Sequence, residues 1–225
     1  MSSPQIQTDE DAQMKNAMER MVDSYDSYMR MVTLCNERKL RNIEVSLTQL
    51  KPGDQVLEIG CGTGTLTLAA KRQVGLTGQA YGIDVIPKMI DLCRRKAEQA
   101  GVDISFQVGG IDTIPFPAGK FDAVLCSFMI FHMSEGVRRR GIQEIHRVLK
   151  QGGRLVVVDL ALPSSPVPRA IAKTLFGGML QHELCELVPL MQELGFCDVE
   201  LEPLNYRVFF LPVLSFVRGR AGVSS

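Results

Sequence analysis

Three glycines at alternate positions, Gly60, Gly62 and Gly64, stand between an apolar run and a helical pattern. Glycine lets a backbone bend sharply and approach a ligand closely. The helix that follows is expected to aim its free N–H groups at the same turn. One carboxylate, Glu58, precedes the glycines and another, Asp84, ends the next apolar run. Strand, glycine turn, helix, strand and carboxylate make the layout of a site for a nucleotide-like cofactor. The two oxygens of Asp84 suffice to accept both hydroxyls of a ribose. They would equally cap the helix that starts near Pro87. With Asp84 on the ribose, Val85 and Ile86 would flank the base.

Further candidates lie at the ends of other elements. Cys126 and Ser127 close an apolar run, and ligands of open α/β sheets gather at such strand ends. Cys126 reads as core or pocket lining, with a nucleophile as the alternative. His132 follows. A histidine there can take a proton from a hydroxyl or a carbon acid near neutral pH, or simply order the pocket wall. Near the N-terminus, Met14, Met18, Met21, Tyr25, Tyr28 and Val32 recur at steps of three and four. The stripe reads as a packed helix face. Tyr25 could also lay its ring against a bound cation.

The elements that must hold these residues follow from periodicity. Residues 1–10 are polar and expected to be unstructured. Helical patterns cover 11–34 and then Leu40, Ile43, Leu47 and Leu50, stopped by Lys51-Pro52-Gly53. Apolar runs at 55–59, 80–83, 104–108, 121–126 and 154–159 alternate with helical segments near 64–74, 87–100 and 135–149. Near-continuous apolar strands with helical crossovers predict a parallel sheet covered on both faces. Gly152-Gly153 reads as the turn before the fifth strand. Helical segments near 169–180 and 182–194 precede two expected strands, 198–206 and 210–218.

Longer stretches carry a resemblance. LEIGCGTG and YGID are similar to motifs I and II of the class I S-adenosylmethionine-dependent methyltransferases. IDTIPFP (111–117), FDAVLCSFMIFHM (121–133) and EIHRVLKQGGRLVVVD (144–159) resemble later segments of the same family, in order, over roughly residues 35–200. Within the family the likeness is to small-molecule methyltransferases of the ubiquinone/menaquinone type. It implies a doubly wound, mostly parallel seven-stranded sheet with an antiparallel C-terminal strand. Residues 1–34 would be a tail and helical cap, and 35–225 the domain.

The resemblance also implies roles. S-adenosylmethionine would be the cofactor. Gly60, Cys61, Gly62 and Gly64 would pass under its methionine tail, with Glu58 near its amino group. A backbone carbonyl at Cys126 or Ser127 would hold the same amine. Ile111 would offer its N–H to the adenine. Where the family usually places a carboxylate for the adenine amine, this chain has Gly110. Asp112 is then either a substitute or a solvent-facing turn residue. Tyr25-Asp26 resembles the Y-D pair that folds over the cofactor. His132 stands where the family often has two histidines.

Composition narrows the rest. With 225 residues, 45% hydrophobic content and zero formal net charge, the chain suits one soluble domain. The six cysteines form no CxxC pair and no metal spacing. Four of them sit in apolar runs and read as small core residues of a reduced protein, so a cytoplasmic location is expected, with no bound metal. Charge neutrality disfavours nucleic acid as a partner, and Arg94-Arg95-Lys96 and Arg138-Arg139-Arg140 read as solvated helix faces. The expected partner is a small apolar acceptor met by Met129, Phe131, Met133, Leu175, Phe176 and Met179. Rival readings are a nicotinamide oxidoreductase, a non-catalytic cofactor-binding subunit and an RNA methyltransferase.

Overall fold

The computed structural model describes residues 9–130, 133–161, 170–171, 174, 184–208 and 213–222, with backbone alone for 9–14. Helices α1 (Asp9–Met21), α2 (Tyr25–Val32) and α3 (Glu37–Leu47) come first. The alternating part follows as β1 (Gln55–Ile59), α4 (Thr65–Val74), β2 (Gln79–Asp84), α5 (Pro87–Gln99), β3 (Ser105–Val108), β4 (Phe121–Ser127), α6 (Glu135–Val148) and β5 (Leu149–Leu160). The chain closes with α7 (Leu187–Glu193), β6 (Phe196–Pro203) and β7 (Leu214–Ala221).

These strands form one seven-stranded sheet in the order β3-β2-β1-β4-β5-β7-β6. Strand β1 is parallel to β2 and β4, and β4 to β5. Strand β7 runs antiparallel to both β5 and β6. The chain order reverses across β1 and β4, so their carboxyl ends flank the crevice where such sheets bind ligands.

Alternation along β1 explains why both faces are covered. Leu57 and Ile59 join Ile142 and Ile145 of α6 and Met191 of α7 on one face. Val56 joins Leu40 of α3 and Leu66 and Val74 of α4 on the other. Fully burying one such aliphatic side chain stabilises by about 1.5–3 kcal/mol, so each helix is held by a few of them. Among the described residues no helix is long and apolar enough to cross a membrane.

Several expectations need correction. Helix α1 begins at Asp9, inside the segment expected to be unstructured. Strand β5 starts at Leu149, and Gly152-Gly153 sit inside it where the pairing with β4 shifts register. The last strands occupy 196–203 and 214–221 rather than 198–206 and 210–218. Three cysteines are buried, Cys61, Cys93 and Cys126, and three are exposed. The basic runs are not simply solvated. Arg138 is buried against Glu186, Arg139 pairs with Glu193, and Lys96 reaches Asp26 at 2.7 Å.

Candidate active site

A cavity of about 200 Å³ opens at the carboxyl ends of β1, β2 and β4. Of the residues singled out in the sequence, Tyr25, Gly60, Gly62, Asp84, Val85, Ile111 and Ser127 line it. Glu58, Cys61, Gly64 and Cys126 lie behind the wall. His132 falls outside the described residues, as do Phe131, Leu175, Phe176 and Met179.

The glycine turn needs its glycines for two different reasons. Gly60, Gly62 and Gly64 have φ of +67°, +51° and +80°, in the left-handed region. A Cβ on Gly60 would crowd Met129, and one on Gly62 would meet the Tyr25 ring, both at the cavity. A Cβ on Gly64 would instead stand 3.0 Å from Cys93 Sγ, on the far side from the cavity wall. Gly64 therefore serves the packing of the turn against α5. Cys61 shares that contact, with its sulfur 3.8 Å from that of Cys93. The Cys93 thiol beside it and burial hold the Cys61 thiol well above the ordinary range, and burial does the same to Cys126, so neither is a ready nucleophile.

Cys61 N–H donates to Ile83 O, Gly64 N–H to Cys61 O, and Gly62 N–H to Asp84 Oδ2 at 2.9 Å. These three donors of the turn are spent inside the protein.

Asp84 is fixed by this arrangement. Its second oxygen accepts Ile86 N–H at 2.9 Å, and since Ile86 itself is the N-cap of α5, Asp84 fixes the turn ahead of that helix rather than capping it. Each carboxylate oxygen has lone pairs to spare, and the group faces the cavity. Burial raises its pKa, opposed by the N–H groups of Ile86 and Gly62. Lys15, which the sequence reading passed over, lines the same end and favours the ionised form.

Asp112 lines the cavity too. A Cβ on Gly110 would meet Asp112 Oδ1 at 2.9 Å, so this carboxylate fills the space a side chain at 110 would enter. An isolated bridge between Gly110 and Thr113 closes the loop that aims it, and Arg140 lies 3.8 Å away.

The N-terminal helices cover the turn. Asp26 accepts Thr63 Oγ1 at 2.6 Å and Lys96 Nζ at 2.9 Å, joining α2 to the glycine turn and to α5. These bonds hold the Asp26 carboxyl below its usual range although burial opposes them. Tyr25 is consequently held over Gly62, and burial pushes its hydroxyl up to about 12. Lys15 and Met18 complete this side.

Polar residues of α3 were missed altogether. Arg41 is buried between Glu37 and Glu44 and bonds Thr65 and Ser127. Glu58 is buried close to them. Burial pushes its carboxyl up to about 8, against a hydrogen bond from Thr67 and the charge of Arg41. Beyond β4, buried Asp159 takes the N–H of Ile130 at 3.2 Å and so fixes the segment leaving that strand. Phe128 there has φ of +55°, uncommon for a residue with a side chain, and lines the cavity with Met129 and Met133.

Comparison with known proteins agrees with this geometry. Residues 56–153 match the family described as Methyltransferase domain. The chain is 34% identical over 145 residues to the ubiquinone/menaquinone biosynthesis C-methyltransferase UbiE of Geobacter sp. (strain M21). That match covers 64% of this chain but 61% of the relative, so the chain spans about three-fifths of its length. A 2-phytyl-1,4-naphtoquinone methyltransferase of Nostoc sp. (strain PCC 7120) is 27% identical over 179 residues, 79% of this chain and 74% of that one. A solved S-adenosylmethionine-dependent methyltransferase from Aquifex aeolicus shares the fold, with TM-score 0.67 and 19% identity over 90% of this chain and 98% of that one. Over residues 56–153 the chain is thus similar to a methyltransferase domain, and the relatives named above are methyltransferases of quinone biosynthesis type.

Proposed function

We propose that this protein transfers a methyl group from S-adenosylmethionine to a small apolar acceptor, quinone-, polyketide-, terpenoid- or lipid-like. The observation that carries the reading is one cavity joining a ribose-competent carboxylate, Asp84, a glycine turn with little room above it, and an apolar wall.

The residues present fit the cofactor. A Cβ at Gly60 or Gly62 would narrow the passage its tail needs. Asp84 would accept the ribose hydroxyls, held in place by Gly62 and Ile86. Val85 and Ile86 would flank the adenine, with Ile111 N–H and the Asp112 carboxylate facing its edge. Cys61, Gly64 and Cys126 would support from behind, and Glu58 and Ser127 would stand at the amino-acid end. Tyr25 would close the turn with the cap of residues 1–34 over the domain of 35–225. When bound, S-adenosylmethionine supplies an electrophilic methyl group on a sulfonium sulfur.

The chain's own task is then to place the acceptor and exclude water. Positioning alone can supply a large share of such an acceleration. Met18, Met89, Met129 and Met133 give a wall that adapts to an apolar guest. His132 would take the acceptor's proton, on the strength of its residue type and its place after β4. The relatives' named substrates make a quinone-like acceptor the first to try. The test is incubation with methyl-labelled S-adenosylmethionine and a panel of reduced quinones, polyketides, terpenoids and lipids. Label in the organic extract, absent with an Asp84→Ala protein, supports the reading. Cofactor binding with no transfer over the whole panel would favour a non-catalytic subunit.

A further inference from the structure

The connection between α2 and α3 goes against local preference at several residues. Helix α2 closes with hydrogen bonds from Leu34 N–H to Met31 O at 3.1 Å and from Cys35 N–H to Arg30 O at 2.7 Å. This closing pattern asks for a left-handed residue just past the helix, usually glycine. Leu34 takes that position with φ of +50°, and Cys35 follows with +63°. A side chain in that conformation costs stability. The leucine gains little burial in return. It is 44% exposed, and Met31, three residues back, is 57% exposed.

The first turn of α3 is set against its own helix. A helix N-terminus favours acidic side chains and disfavours cations. Arg38 and Lys39 nevertheless stand there, exposed, and Arg30 is exposed in the last turn of α2. Among the described residues none of these three has an ion-pair partner. Glu37, the one carboxylate between residues 29 and 40, is engaged with Arg41 and Thr65 instead. The shape is pinned from below, since Thr33 is buried and its carbonyl accepts the Tyr206 hydroxyl at 3.1 Å. Two apolar side chains and three unmatched cations are thus held within a helical turn of one connection.

We propose that this tip docks on an anionic lipid bilayer, with Met31 and Leu34 entering the interface and Arg30, Arg38 and Lys39 meeting the phosphate headgroups. Charge selects this occupant. A second copy of the chain would set the same three cations against these, and an apolar protein surface would leave them unmatched. The other end of α2 carries Tyr25 at the cavity, about 12 Å back along the helix. Docking would therefore hold the cavity close to the membrane surface. It does not depend on the methyl-transfer reading.

Co-sedimentation with vesicles tests this. The vesicles are phosphatidylcholine alone and phosphatidylcholine mixed with phosphatidylglycerol. The proteins are wild type, Leu34→Gly and the double variant Arg38→Gln with Lys39→Gln. Glycine suits the backbone at position 34, so the thermal midpoint of Leu34→Gly should stay near that of wild type and its binding reports the side chain alone. Wild type is expected to bind the mixed vesicles at least about tenfold more tightly than the neutral ones, and less tightly as salt rises. The double variant should weaken binding to the mixed vesicles about thirtyfold, and Leu34→Gly about fivefold. Wild type that ignores the mixed vesicles would overturn the proposal, and so would binding that either variant leaves unchanged. Self-association in sedimentation velocity that Leu34→Gly abolishes would overturn it as well, by giving the tip to a second copy.

Discussion

The two ends of the cavity are built by different means. At the nucleoside end, Asp84 is held by N–H groups of Gly62 and Ile86, the first in the adjoining turn and the second two residues along. At the other end, Ser127 is held by Glu44 and Arg41, residues more than 80 positions away in the chain. One end is a local motif that folds with its strand. The other exists only once α3 has packed against the sheet through Leu40 and Val45. A local device can be read from a short string of residues, whereas an assembled one depends on the whole core.

Substitutions at the two ends should break this contrast or sharpen it. The largest effect is expected from Asp84→Ala, which should weaken S-adenosylhomocysteine and 5′-methylthioadenosine alike, by about a hundredfold for two charge-assisted hydrogen bonds. Unchanged affinity for either in calorimetry would remove the ribose role. Gly64→Ala should lower stability by about 1–3 kcal/mol, because φ is +80° and Cys93 stands in the way. Urea denaturation measures this, and a variant as stable as wild type would show that the turn relaxes.

Asp112→Ala should cost S-adenosylhomocysteine about tenfold or less, the worth of one hydrogen bond. It should also erode discrimination against the inosine analogue, which lacks the adenine amine. Discrimination left intact would return Asp112 to an ordinary turn residue.

The smallest signal is a proton. Burial holds the Glu58 carboxyl up at about 8, so in the free protein at pH 7 it is mostly protonated. A cation brought beside it favours the ionised form, so binding should release part of a proton near pH 7. Affinity should therefore rise with pH through neutrality and level off above about 8. Binding heats compared across buffers of different ionisation enthalpy detect the release, and Glu58→Gln should abolish it. Persistence of the release in that variant would assign the proton elsewhere.

Much of this was legible in the sequence, for the reason the two ends differ. The glycine turn, Glu58 and Asp84 lie in one short stretch whose periodicity places β1, α4 and β2. The sheet followed from strands that alternate with helices. What escaped notice depends on distance. The reading of α3 took Leu40 and Leu47 as a stripe and passed over Arg41 and Glu44, whose partners are remote. Polar residues on the buried side of a helical stripe were the available signal. Gly110 looked like a lost carboxylate until the Gly110–Thr113 bridge showed how Asp112 folds back over it. Gly152-Gly153 signalled a turn, and tertiary pairing with β4 drew them into β5 instead.

The central claim is that this cavity takes S-adenosylmethionine. Its most direct test is calorimetric titration of the wild-type protein with S-adenosylhomocysteine, with NAD as the control ligand. The account predicts micromolar or tighter binding of the first and none of the second, about −8 kcal/mol or better. Binding of NAD alone would contradict it.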